Sequence, residues 1–314
     1  MYKYIFLIIA IIIYVSSCTG KSNNKISNVN DENSAVSGRE ITDRSGRRVV
    51  ITGPINRVVS TAPSNTEIII DLGLADKLIA VDKYSADVTG LPSGITQIDF
   101  SYPDAEAILG LKPDIIIANG HNATVSGDDP FRLLKEMGIS VAYFSMSKSI
   151  NDIYGDIFFM ADLLGVNDKG NALVASMKTE IDKLNRLTAQ AKVKRSVYFE
   201  ISAAPDIFTF GKDSYISDMI ASINGKNIFE NDNWVLSPSI EAIIERNPDV
   251  ILTCVDYIED PLGEIKSRAG FNHISAVLNN RVYQIDTNSL VRPSSRILLA
   301  LNQMARSVYP ELYE

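Results

Sequence analysis

Two cysteines, two histidines and one tryptophan among 314 residues are a thin supply of reactive and metal-binding side chains. Cys18 stands near the amino terminus and Cys254 sits inside the apolar run DVILTCVDY, so no disulfide framework exists, and Cys254 reads as a small core residue. His121 and His273 are isolated, and no His/Cys constellation has metal-ligand spacing. A receptor for bare Mn or Zn needs several His and carboxylate ligands, so a Mn/Zn-binding receptor is kept only as an alternative. Basic residues are not in excess either. Thirty Lys and Arg against thirty-eight Asp and Glu, a net charge of −8, leave no electrostatic footprint for nucleic acid. An exported α/β hydrolase would carry a G-x-S-x-G elbow or an H-E-x-x-H helix, and the chain has neither. The GDD at 127–129 lacks further ligands at sensible spacing and reads as a loop. Catalysis and a catalytic cofactor are therefore not expected.

The first forty residues differ from the rest. MYKYIFLIIAIIIYVSSC places Lys3 before a short apolar run and two serines before Cys18, the layout of an export signal over residues 1–17 rather than of a membrane-spanning helix. From Cys18 to about residue 40 the chain is rich in Ser, Asn and charge, and it cannot bury enough apolar surface to fold, so it reads as a tether. Removing residues 1–17 takes away Lys3 alone and moves the net charge from −8 to −9.

Beyond the tether, RVVS, LIAV, DIIIAN and SVAYFS alternate with helical patterns such as NTEIIIDLGL and PFRLLKEMG. Short β-branched strands alternating with helices predict a parallel sheet covered on both faces, an α/β lobe over residues 41–149. A long helical region follows over 150–194, broken near GVNDKG, with Leu173, Met177, Ile181, Leu184 and Leu187 at spacings of three and four. The order then repeats over 195–314: RSVYFEIS, a helix over SYISDMIASIN, NIFE, a helix over SIEAIIERN, DVILTCV, RVYQID and a closing helix over SSRILLALNQMARSVYP. Two α/β lobes on a stiff helical connector imply a cleft, with ligand residues on the loops beyond the carboxyl ends of the strands.

One stretch occurs twice. PDAEAILGLKPDIII from Pro103 and PSIEAIIERNPDVIL from Pro238 share P-x-x-E-A-I, then P-D-[IV]-I-[IL], at an offset of 135 residues, with Glu106 and Glu241 in register. A carboxylate in the first turn of a helix is favoured by the macrodipole wherever it occurs, by about 0.3 to 1 kcal/mol.

Together RVVSTAPSNTEIIIDLG, LKPDIIIANG, GKDSYISDMI, GKNIFE, NPDVIL and RPSSRILLALNQMA resemble the periplasmic binding proteins that deliver vitamin B12, haem and ferric siderophores to ABC importers, over essentially all of the chain from residue 41. SSC before the tether resembles a bacterial lipobox, which implies lipidation of Cys18, export and anchoring to the cell membrane. The resemblance implies a class III binding protein: two Rossmann-like lobes joined by a long rigid helix, a shallow cleft, and action as a monomer with a permease dimer and its ATPase subunits. Glu106 and Glu241 match the glutamates with which the B12-binding member contacts its permease. Positions matching that member's cleft are Tyr84, Phe100, Phe208 and Trp234, aromatic faces suited to a corrin, a porphyrin or a catecholate. After the KPD strand the chain reads NGHN, which brings Asn119 and His121 to the cleft-facing loop, His121 being able to ligate haem iron or to serve as a hydrogen-bonding surface residue. Arg292 matches a cleft arginine whose planar fork suits ligand carboxylates or catecholate oxygens; a salt bridge at a helix start is the other reading. The chelate expected is a ferric siderophore or haem first, cobalamin next.

Overall fold

The computed structural model describes residues 38–120 and 129–314. The anticipated signal peptide, Cys18, most of the anticipated tether and His121 lie outside the described residues. The chain first makes an antiparallel hairpin of β1 (Arg39–Thr42) and β2 (Arg48–Ile51). The Asp43 carboxylate organises its turn, accepting from the Arg47 amide at 2.8 Å and from the Tyr143 amide at 2.9 Å, which staples the hairpin to the lobe behind it.

The first lobe then runs β3 (Val58–Ser60), α1 (Pro63–Asp71), β4 (Leu78–Asp82), β5 (Thr96–Ile98), α2 (Ala105–Gly110), β6 (Ile115–Asn119), α3 (Arg132–Glu136) and β7 (Ser140–Phe144). The five strands of its sheet are parallel in the order β5-β4-β3-β6-β7. Strand order reverses beside β3, the first strand laid down, and a crevice opens between the ends of β3 and β6. Strands β3, β4, β6 and β7 are buried on both faces, which is why they read as unbroken apolar runs rather than as alternation, while the edge strand β5 is largely exposed.

The connector is a pair of helices, α4 (Ile150–Leu163) and α5 (Asn167–Thr188). Ser149 and Asp152 form a reciprocal capping box at the start of α4, and Gly165, at φ +75°, takes the left-handed position just beyond its end. At Gly170 a Cβ would stand 2.5 Å from the Cβ of Ala161, so only glycine lets the two helices approach this closely. Met177 and Leu184 of the anticipated stripe are buried, together with Val174.

The second lobe comprises β8 (Ser196–Glu200), β9 (Thr209–Phe210), α6 (Tyr215–Ser222), β10 (Lys226–Asn227), β11 (Val235–Leu236), α7 (Ile240–Arg246), β12 (Val250–Thr253), α8 (Pro261–Ser267), α9 (Ser275–Leu278), β13 (Val282–Gln284), α10 (Thr287–Val291) and α11 (Ile297–Val308). Its four-stranded sheet is parallel in the order β10-β8-β12-β13, again reversing beside its first strand, while β9 and β11 pair separately. In NIFE only Asn227 is strand; its side chain caps a turn by accepting from the Phe229 amide at 2.9 Å.

One apolar core joins the lobes. It runs from Val58 and Ile115 through Ile157 and Met160 of α4 and Val174 and Met177 of α5 to Phe199, Leu252 and Met304. The outer faces of the two sheets have separate clusters. Continuous apolar packing of this kind resists relative motion more strongly than a flexible linker would.

Candidate functional site

Both sheets point their carboxyl ends at one cleft of about 820 Å³. Its lining follows the strands: Pro63 and Ser64 after β3, Tyr84 after β4, Phe100 after β5, Asn119 at the end of β6, Ser145 to Ser147 after β7, Ile201 after β8, and Cys254, Asp256 and Tyr257 after β12. Phe210 of β9, the start of α6 at Ser214 to Ile216, Trp234 beside β11 and the α10 segment add to it. The crevices at both points of strand reversal thus open into a single cavity, where ligands of open parallel sheets collect.

Aromatic rings meet in one pair on each lobe. Tyr84 and Phe100 have centroids 6.0 Å apart at 54°, and Phe210 and Trp234 are 6.1 Å apart at 44°. The Asp82 carboxylate positions Tyr84, accepting from its amide at 2.9 Å, and the same buried carboxyl takes the Ser85 hydroxyl. Burial is the main reason its pKa is raised. Trp234 is carried on the β9–β11 pair, where Gly211 donates to its carbonyl at 3.0 Å.

Of the anticipated cleft residues, Tyr84, Phe100, Asn119, Trp234 and Arg292 are in the lining. Phe208 is not: it sits outside the cavity, 39% exposed, and Phe210 takes the lining position two residues on. Tyr257 and Phe210 were missed, although Tyr257 closes the DVILTCVDY run at the end of β12, where a strand-end rule would have pointed. Cys254 lines the floor; its thiol is pushed up to about 12, chiefly by burial, and stays protonated.

Arg292 reaches the cleft but its guanidinium is already engaged. Nη2 donates to both oxygens of Asp87 at 2.8 and 3.1 Å and to the Tyr84 carbonyl at 3.2 Å, while Nη1 lies 3.4 Å from Glu67. Glu67, 2% exposed on α1, also accepts from the Ser294 hydroxyl at 2.6 Å. Its pKa is raised, chiefly by burial, against the lowering pull of Ser294 and Arg292. Arg292 is the one basic residue among the described lining residues, and Asp256 the one acidic residue. No group of three or more His, Cys, Asp or Glu among the described residues is placed to hold a metal ion.

The duplicated segments fold alike. α2 is capped by Asp104, which accepts from Ala107 N at 3.0 Å, and α7 by Ser239, which accepts from Ala242 N at 3.2 Å. Each segment then passes through a residue of positive φ, Lys112 at 49° and Asn247 at 41°, before its Pro-Asp. The aspartates do equivalent work: Asp114 accepts from the Asn56 and Arg57 amides at 2.7 and 2.8 Å, and Asp249 from the Ser196 amide at 2.8 Å, each tying its strand to the first strand of the lobe. The flanking identity is therefore lobe-building. Glu106 and Glu241 lie exposed in the first turns and have no ion-pair partner among the described residues.

The profile of the periplasmic binding protein family matches residues 58–288. The chain belongs to this family. It is 30% identical over 279 residues to an uncharacterized ABC transporter substrate-binding lipoprotein of Bacillus subtilis, YvrC, covering 87% of this chain and 86% of that one. A vitamin B12-binding protein of Vibrio cholerae is 30% identical over 256 residues, covering 80% and 88%. Among solved structures, a possible iron-binding periplasmic solute-binding protein of Staphylococcus epidermidis superposes with a TM-score of 0.75 at 30% identity, covering 82% of this chain and all of that one. The chain is accordingly a substrate-binding protein of the ABC-importer type, a class that acts outside the cytoplasm with a permease and its ATPase, and its relatives are named for binding rather than catalysis. No helix among the described residues is long and apolar enough to cross a membrane.

Proposed function

We propose that this protein captures a large metal chelate with little negative charge, a corrinoid such as cobalamin ahead of haem or a ferric siderophore, and delivers it to an ABC permease. The observation that carries the choice is the engagement of Arg292 by Glu67 and Asp87 in an otherwise aromatic and apolar cleft. A catecholate siderophore brings several negative charges and haem brings two propionates, and both call for cationic partners that the described lining does not offer. A corrin ring fringed by neutral amides needs apolar area and scattered hydrogen-bonding groups, which the two aromatic pairs and the serines of the lining supply. This reverses the order expected from the sequence, where Arg292 read either as a partner for an anionic ligand or as a salt-bridge residue, and the second reading is the one its contacts match. The kinship with a vitamin B12-binding protein supports the same choice.

The test is calorimetric titration of the purified chain with cyanocobalamin, haemin and a ferric catecholate. Cobalamin binding at least tenfold tighter than the other two is expected; a tighter ferric catecholate or haemin overturns the ligand choice, and binding of bare Mn or Zn alone overturns the chelate reading. Attachment is through a lipid on Cys18, a reading supported by the name of the Bacillus relative, and the exposed Glu106 and Glu241 dock the two lobes on basic residues of the permease. Cys18→Ser should release the protein from the membrane fraction, and unchanged membrane association removes the lipid from the account.

A further inference from the structure

Glu67 is nearly inaccessible on a helix of the first lobe, yet the side chains seen to pair with it among the described residues, Ser294, Arg292 and Arg296, belong to the second. Beside it, half-exposed Asp87 of the first lobe takes Arg292 at 2.8 Å and the Asn288 amide at 2.6 Å, both from the second. A buried carboxylate whose partners all sit across a boundary loses them together when that boundary opens, and an unpaired buried charge is strongly disfavoured. An exposed pair such as Asp87–Arg292 adds little by itself, but here it shares its arginine with the buried carboxylate, so the two bonds make and break as one unit.

We infer that Glu67, Asp87, Arg292 and Asn288 form an inter-lobe latch that sets the width of the cleft before any ligand arrives, with Arg292 a positioning residue rather than a ligand anchor. The inference goes beyond the binding-protein reading, and only the second arm of its test rests on that reading.

Cys254 reports on the latch without a ligand, because it lies on the cleft floor at 4% exposure and is not one of the latch residues. In the ligand-free full-length chain, the rate at which N-ethylmaleimide modifies Cys254 is followed by peptide mass spectrometry, which separates it from any signal at Cys18. Asp87→Ala and Glu67→Gln should each raise that rate about tenfold. Asp87→Glu should restore it to within about threefold, and Arg132→Ala, which breaks an exposed pair with Glu136 inside one lobe, should leave it unchanged. Parent-like labelling in both Asp87→Ala and Glu67→Gln overturns the latch and leaves spacing to the shared apolar core. A rise accompanied by faster amide exchange throughout both lobes also overturns it, since general unfolding then explains the exposure. In the second arm, whichever of cyanocobalamin and haemin binds should dissociate about tenfold faster from Asp87→Ala, and an unchanged dissociation rate counts against the latch. Binding of neither probe counts against the ligand reading only, because the labelling arm decides the latch by itself.

Discussion

Trp234 and Phe208 offer a matched pair for testing the cleft. Their exposures are nearly equal, 38% and 39%, but Trp234 lines the cavity and Phe208 does not. A tryptophan side chain presents up to about 250 Å², so the exposed share that a ligand covers is about 95 Å². At about 25 cal/mol per Å² this amounts to about 2.4 kcal/mol, or about fiftyfold in Kd. Trp234→Ala should therefore weaken binding of the preferred chelate about fiftyfold, more if Phe210, whose ring it abuts, also shifts. Phe208→Ala should stay within about threefold of the parent. Both changes are made at surface positions, so near-ultraviolet circular dichroism and thermal melting should show intact folds. Calorimetry with cyanocobalamin, haemin and a ferric catecholate gives Kd without relying on the tryptophan that one variant lacks. Equal losses in the two variants, or a Trp234→Ala loss below threefold for every chelate that binds, would refute the assignment of this cavity as the binding site.

Three further predictions follow from other parts of the molecule. Reversing Glu106 or Glu241 to Arg should leave ligand Kd within about twofold while reducing uptake and stimulation of the transporter ATPase, because like charges at an interface cost on the order of several kcal/mol; normal uptake in both variants would make the glutamates simple helix-start residues. Asp156 is buried against Arg44 at 2.6 Å and its pKa is pushed up from 3.8 to about 6 by burial, so between about pH 4 and 6 the folded state holds a proton that the unfolded chain has released. Its contribution to stability therefore falls as pH rises through that window, by about 3 kcal/mol, and the melting temperature of Asp156→Asn relative to the parent should be more favourable at pH 7 than at pH 4; an identical difference at both pH values contradicts the shift. Arg268 holds the fully buried Glu200 in two hydrogen bonds of 2.5 and 2.8 Å, so Arg268→Ala should lower stability by about 3 to 5 kcal/mol in denaturant titrations, whereas a loss under 1 kcal/mol would mean that Glu200 is readily neutralised or hydrated.

The strands and helices were readable because parallel sheets buried on both faces leave continuous apolar runs, and because a glycine such as Gly73, at positive φ, ends its helix. The site was readable only as far as the rule that strand ends line the cleft. Residues two apart share one face of a regular strand, but only Phe210 belongs to β9, which pairs with β11 away from the main sheet, while Phe208 bridges Ser202. Nothing local in IFTFGK therefore distinguishes Phe208 from Phe210. The engagement of Arg292 was hidden for another reason: its partners Glu67 and Asp87 lie 225 and 205 residues away in sequence. One local sign did exist. Glu67 is the lone carboxylate amid the apolar positions of NTEIII, and a charge so placed calls for a partner from elsewhere in the fold.

The repeated segment separates into parts with different causes. Its capped helix start, its left-handed residue and its Pro-Asp are all accounted for by bonds within each lobe, and the aspartates tie β6 to the start of β3 and β12 to the start of β8. Any lobe built on this plan would keep those positions, whatever it bound or touched. The glutamates are the remainder: exposed, unpaired among the described residues, and worth at most about 1 kcal/mol to their own helices. The shared flanks therefore carry no weight for docking, and the case for it rests on two solvent-facing charges carried at equivalent places on two lobes. Those lobes are held in fixed relation by one continuous apolar core, reinforced by the Glu67–Arg292–Asp87 contacts. A fixed relation is what lets two separated charges act together, because a permease presenting two matching cations meets both without first ordering the lobes.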